Sequence, residues 1–428
     1  MNIFDFRDQL ISDYAKYIKS FIRIRDQQVS ERVEEELKNG LLWPDPLIQL
    51  NPSFHPGASI DELVDEGTLH PECARIFRRG KNQGQSKELR LHTHQTEAIR
   101  AANNRVDYVL TTGTGSGKSL AYIIPIVNRV LQQDTGNGIQ AIVVYPMNAL
   151  ANSQLGELEK FLCDGYPDGQ GPVTFARYTG QESDEKRQQI MGNPPDIILT
   201  NYVMLELILT RSTERPLVAA ARDLQFLVLD ELHTYRGRQG ADVALLIRRL
   251  RQASRSEQMI CVGTSATLSS SGDSNQQRQE VAKVASKLFG AEVKTENVIG
   301  ETLKRTTTGD INDPQFVDNL RNRVAASQIP SNYHELISDP IAVWIEDNFG
   351  IHTEEETGRL IRRVPNSLTG PEGAAEKLSQ LTGLNVEVCA KVIQEALLAG
   401  FNYQDPVTNF SAFAFLDNPL IKGILYPL

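Results

Sequence analysis

At 428 residues, with 23% charged and 40% hydrophobic residues, the chain has an ordinary globular composition and room for two or three domains. It contains no run of about 18 consecutive apolar residues, so no membrane-spanning helix is expected, and MNIFDFRDQLISDYAKY lacks the basic leader and apolar core of a secretion signal. A formal charge of −10 argues against broad adhesion to DNA while leaving room for a local basic groove.

Residues 1–39 read as helical: Leu10, Ile11, Tyr14, Ile18, Phe21 and Ile22 recur at helical spacing, with Asn39-Gly40 as the stop. Residues 41–65 are proline-rich and read as an extended segment anchored by Trp43 and Phe54. The polar stretch 79–88 reads as a linker, giving an accessory region over 1–88. The cysteines, Cys73, Cys163, Cys261 and Cys389, form no C-x-x-C pair, which argues against a zinc knuckle or disulfide framework and fits a reducing cytoplasm.

From 89 to 295 short β-rich runs alternate with helical patterns. The runs are Val106–Leu110, Ile139–Tyr145, Val173–Tyr178, Ile197–Leu199, Phe226–Leu229 and Met259–Val262. That alternation predicts an α/β domain with a mostly parallel sheet covered on both faces. Ligands in such folds bind beyond the carboxyl ends of the strands. Just before the first run, Gln95 carries both a donor and an acceptor, a combination able to read an adenine edge; a capped amphipathic helix explains it equally well.

After that run come Thr112, Gly113, Thr114, Gly115, Ser116, Gly117, Lys118 and Ser119. The backbone N–H groups of such a turn can wrap a phosphate at a helix N-terminus. Lys118 can reach the outer phosphates of ATP, and the Ser119 hydroxyl can hold Mg2+. Phe226–Leu229 ends in adjacent acids. Asp230 would hold the magnesium through water, Glu231 would orient and deprotonate the attacking water, and His233 would couple the site to its neighbours. Gly263-Thr264-Ser265-Ala266-Thr267 follows the last run; its small hydroxyl residues form either a relay of nucleotide state or a simple Ser/Thr turn. Residues 296–428 lose the glycine motifs. They read as a helical or winged-helix-like accessory region, helical over 311–347 and 371–400, with Gly400 as a stop and Phe410–Phe415 as a weak strand.

These pieces resemble, in kind and order, the motor signatures of superfamily-two helicases. The resemblance implies a RecA-like domain in which Gln95 reads adenine, Thr112–Ser119 bind Mg·ATP, Asp230–His233 form the DExH box and Ser265–Thr267 couple the sites. Tyr145–Gln154, Arg177–Gln181 and Leu199–Glu206 resemble nucleic-acid motifs, which implies sugar-phosphate contacts through Asn148, Thr179, Gly180 and Thr200. Asp230–Gly237 with Gly240–Arg249 is similar to the mitomycin-resistance type of bacterial repair helicases and to relatives in phage-defence systems such as DISARM, which act on DNA.

A complete motor of that kind has a second RecA-like domain that supplies arginine fingers. Residues 296–428 show neither it nor a zinc module, so the resemblance implies a partner domain in cis or in another subunit, and weak ATPase activity without it. A duplex translocase that does not separate strands shares all these motifs. A nucleotide-dependent switch or assembly subunit would need only some of them.

Overall fold

The apolar runs divide by parity. Tyr108, Leu110, Val143, Tyr145, Leu199 and Val228 join one packed cluster, while Val109, Ile142, Val144, Ile198, Leu227 and Leu229 join another. Successive side chains of a strand point to opposite faces, so a strand apolar at every position has to be covered on both. The computed structural model realises this as a seven-stranded sheet. It describes residues 3–21, 24–38, 47–81, 86–113, 115–133, 135–136, 138–266, 274–354, 358–406 and 411–413.

The strands are β1 (Tyr108–Thr111), β2 (Ala141–Tyr145), β3 (Phe175–Arg177), β4 (Ile197–Asn201), β5 (Phe226–Leu229), β6 (Ile260–Ser265) and β7 (Val298–Gly300). Their order across the sheet is β7-β1-β6-β5-β2-β4-β3, and all pairs are parallel. Helices α1 (Thr93–Asn103), α2 (Leu120–Gln132) and α3 (Asn148–Leu162) pack on one face. Helices α4 (Tyr202–Thr210), α5 (Gly237–Ser254) and α6 (Ser274–Phe289) pack on the other. All six runs read from the sequence form strands. β7 went unread, since a three-residue run ending in glycine carries no periodicity.

The chain divides into two compact units, Phe54–Thr302 on one hand and Met1–Ser53 with Leu303–Leu428 on the other. The expected boundaries at 88/89 and 295/296 are therefore corrected. Ile60, Leu63, Leu69, Cys73, Ile76 and Phe77 fill the same core cluster as Leu91, Ile99 and Tyr122. Pro56–Ser59 pairs antiparallel with Arg90–His92, and Ser59 opens the helix Ile60–Asp65 through a capping box with Glu62. The expected linker is a ribbon of this unit, Arg78–Arg79 against Lys87–Glu88.

In the second unit, helices Ile3–Phe21, Gln27–Lys38, Phe316–Ala326, Tyr333–Ser338, Pro340–Ile345, Ala374–Thr382 and Val386–Asn402 form. Leu320, Leu336, Trp344, Phe349, Leu378 and Ile393 share its core. An antiparallel ribbon, Ile351–Thr353 with Leu360–Arg362, lies between the two expected helical stretches. Gly400 lies inside the last helix, not at its end. Its missing side chain admits Phe413, whose ring carbon would stand 2.0 Å from an added Cβ. Trp43, the Asn39-Gly40 stop and half of the Phe410–Phe415 strand (residues 410, 414 and 415) lie outside the described residues. Among the described residues no helix is long and apolar enough to cross a membrane.

Candidate nucleotide site and nucleic-acid face

The phosphate loop leaves β1 at Thr111 and enters α2 at Leu120. Thr114 lies outside the described residues. Gly115 and Gly117 have φ of 76° and 70°, the left-handed backbone that lets N–H groups turn inward. A Cβ on Gly117 would also meet Gln95 Nε2 at 2.5 Å. The buried Thr112 and Ser116 hydroxyls lie 2.7 Å apart and close the loop on itself.

Two α1 side chains brace the loop. His94 Nε2 donates to Ser116 O at 2.9 Å; a carbonyl only accepts, so the ring proton is on Nε2. Gln95 Nε2 donates to Gly117 O at 2.8 Å, and its Oε1 accepts from His92 N–H at 2.8 Å. Gln95 is buried, and each end of its amide is already engaged by the chain. The capped-helix arrangement is therefore present, and one N–H and one lone pair are left for an adenine. His92 stacks on His94 with ring centroids 5.5 Å apart. Burial, with the charges of His94 and Arg79, pushes its pKa down to about 4.

β5 delivers the acids on the far side of β6 from the loop strand β1. Lys118 Nζ lies 3.4 Å from Glu231 Oε1, so the loop lysine and the paired acids share one site. Glu231 adopts φ 54°, ψ 57°, a strained backbone for a side chain of its size, costing on the order of 1–3 kcal/mol. Thr264, at the penultimate position of β6, holds the turn: its hydroxyl accepts from Glu231 N–H at 3.1 Å and donates to Asp230 Oδ1. Burial pushes the Asp230 carboxyl above its usual range, opposed by the Thr264 hydrogen bond and aided by the charge of Glu231. His233 Nδ1 stands 3.2 Å from Glu231 Oε2 and 3.3 Å from Ser265 Oγ, which links the acids to the end of β6. Ala266 is half-buried, and Thr267 lies outside the described residues.

The residues fit Mg·ATP. The loop offers inward N–H groups and a lysine, and Ser119 and Asp230 supply hard oxygen donors. Glu231 Oε2 is buried and accepts no hydrogen bond, with the His233 ring 3.2 Å away.

The residues expected to touch nucleic acid follow β2, β3 and β4 at the carboxyl edge, but two are corrected. Thr200 is fully buried, and its hydroxyl donates to Tyr178 O at 2.6 Å. Thr179 is buried too; its N–H and that of Gly180 donate to Glu182 Oε2 at 2.8 and 2.9 Å. As folded, neither threonine side chain is open to a strand. Gly180 is exposed, and Asn148 is half-buried, its Oδ1 accepting from Asn201 Nδ2 at 2.6 Å. The sequence reading gave no separate role to Glu182 or Asn201, and placed Thr264 only among the small hydroxyl residues of Gly263–Thr267. Thr264 carried a signal, as the hydroxyl residue just before Ser-Ala-Thr; Glu182 carried none.

Residues 92–274 match the DEAD/DEAH box helicase family model. Similar proteins include Druantia protein DruE of Escherichia coli, 26% identical over 65% of this chain and 21% of that protein. Another is the uncharacterized ATP-dependent helicase YprA of Bacillus subtilis, 33% identical over 49% of this chain and 25% of that protein. The chain thus spans about a quarter or less of the length of these curated relatives. A crystal structure of DUF1998 helicase MrfA bound to DNA aligns over 68% of this chain and 38% of that one, at 23% identity and a TM-score of 0.46. With the parallel sheet, the phosphate loop and the paired acids at its carboxyl edge, the match makes residues 92–274 a DEAD/DEAH box helicase domain.

Proposed function

We propose that the unit Phe54–Thr302 binds Mg·ATP and a nucleic-acid backbone and serves as one half of an ATP-driven DNA helicase or translocase motor. The approach of Lys118 Nζ to within 3.4 Å of Glu231, from strands separated by β6, carries this reading. Lys118 exchanges its carboxylate partner for the outer phosphates. Magnesium, when bound, neutralises charge on the phosphate oxygens. Asp230 and Ser119 would hold it; Glu231 orients the attacking water and takes its proton; His233 and Ser265 carry the state of the site toward the bound strand. Gln95 reads the adenine with the part of its amide that the chain leaves open.

The strand contacts are made by Gly180, Asn148 and the ends of β2 to β4, and they follow the backbone without reading bases. DNA is favoured by the resemblance to repair and phage-defence helicases, in which a second RecA-like domain, in cis or in a partner subunit, closes over the nucleotide. Without that domain, Phe54–Thr302 binds ATP weakly and hydrolyses it slowly.

The test is a pair of variants in the whole chain, read by fluorescent-ATP titration and phosphate release with single-stranded DNA. Glu231→Gln should bind ATP as the parent does while hydrolysis falls at least about a hundredfold, and Lys118→Ala should lose binding. Undiminished hydrolysis by Glu231→Gln would exclude Glu231 as the base, and ATP binding without hydrolysis by the parent would leave a binding-only switch.

A further inference from the structure

The phosphate loop is held from a second direction. The register of β7 against β1, Val298↔Val109, Ile299↔Leu110 and Gly300↔Thr111, sets the next residue, Glu301, alongside Thr112. From there Glu301 Oε2 accepts the N–H of Gly113 at 3.0 Å. Gly113 belongs to neither β1 nor α2, so no strand or helix partner takes that N–H.

Granted that the loop receives a triphosphate, as proposed above, we propose that Glu301 is a positioning residue for the nucleotide: a carboxylate anchor that holds the loop's entrance in its binding shape. His94 and Gln95 occupy two carbonyls of the loop, Ser116 O and Gly117 O, which leaves N–H groups of the turn for phosphate. Glu301 takes up the N–H of Gly113, which precedes the left-handed glycines Gly115 and Gly117. The anchor is a charged acceptor, so its hydrogen bond is stronger than a neutral one. It also places a negative charge near an anionic ligand. These two effects oppose each other, and substitutions separate them. Glutamine keeps an acceptor and drops the charge; alanine drops both.

The expected order of affinity for a fluorescent ATP analogue, titrated into the whole chain, is Glu301→Gln equal to or tighter than the parent, and Glu301→Ala roughly tenfold weaker. Glu301→Asp, which keeps the charge but shortens the reach, should also weaken binding, and it replaces the alanine variant should that one fail to fold. Melting without nucleotide should be alike for the parent and the glutamine variant. A purely structural duty would lower melting in both Gln and Ala variants and would not be rescued by glutamine; a blocking role would make Glu301→Ala bind more tightly. Either result overturns the anchor. Lys118→Ala is the control. Its loss of binding beside intact binding by Glu301→Ala overturns the role of Glu301 alone, whereas intact binding by Lys118→Ala overturns the nucleotide site and the anchor with it.

Discussion

His92 ends the strand Arg90–His92 with its backbone N–H given to Gln95 and its ring between Phe54 and His94, at centroid distances of 4.8 and 5.5 Å. Its pKa of about 4 in the folded chain lies below the ordinary 6.5, so as pH falls the unfolded chain takes up the proton first. The stability that neutral His92 supports is complete above the unfolded value and is lost as pH drops toward the folded one. The whole window is worth on the order of 3 kcal/mol. His92→Phe should remove most of that slope. The check is thermal melting between neutral and mildly acidic pH, where the gap between parent and variant should narrow or reverse as pH falls; parallel curves would exclude the assignment. Individual residues were legible in the sequence where their chemistry is local. Lys118, Asp230 and Glu231 are announced by the glycines and the apolar strand beside them. Thr264 and Glu301 act across the sheet, on residues 34 and 188 positions away; the hydroxyl motif marks Thr264 without its partner, and no local pattern marks Glu301.

At the scale of elements, the turn after β3 is built around one carboxylate. Glu182 Oε2 accepts from the N–H groups of Thr179 and Gly180, and its Oε1 accepts from Arg177 Nε at 2.6 Å and Thr179 Oγ1 at 3.2 Å. Burial alone would raise its pKa, yet these hydrogen bonds outweigh burial and hold it below the usual carboxylate range. The sequence reading assigned the same N–H-bearing residues to a phosphate backbone. The structure gives them an internal anion, and the loop is ordered by it. Glu182→Ala should therefore weaken binding of a single-stranded DNA oligonucleotide by roughly tenfold with ATP binding unchanged, as read by fluorescence anisotropy. Equal DNA affinity would show that the loop does not serve the strand. The strands themselves were readable because each is a continuous apolar run bounded by polar motifs. The ribbons Arg78–Arg79/Lys87–Glu88 and Ile351–Thr353/Leu360–Arg362 were not, because they are short and polar or mixed.

For the whole molecule, the expected domain edge at 88/89 failed because burial, not composition, decides where a unit ends. Phe77 and Ile76 are fully buried against the sheet unit, although a polar stretch separates them from the motor motifs. A truncation to 89–295 should expose that cluster and fail to fold cooperatively, whereas 54–302 should give a single cooperative urea transition. A cooperative 89–295 would show that the segment 54–88 is dispensable.

Both crossings between the units occur at one place on the sheet unit. His55 N–H donates to Thr302 O at 2.9 Å, so the strand of chain that enters and the one that leaves are joined side by side. On the other unit, Ser53 Oγ and Thr306 Oγ1 are 2.8 Å apart. The sheet unit is thus inserted into the rest of the chain with adjacent ends. A bridge of a few residues from 53 to 303 would excise it as a cassette, and the excised piece could be grafted wherever a surface loop offers two neighbouring attachment points.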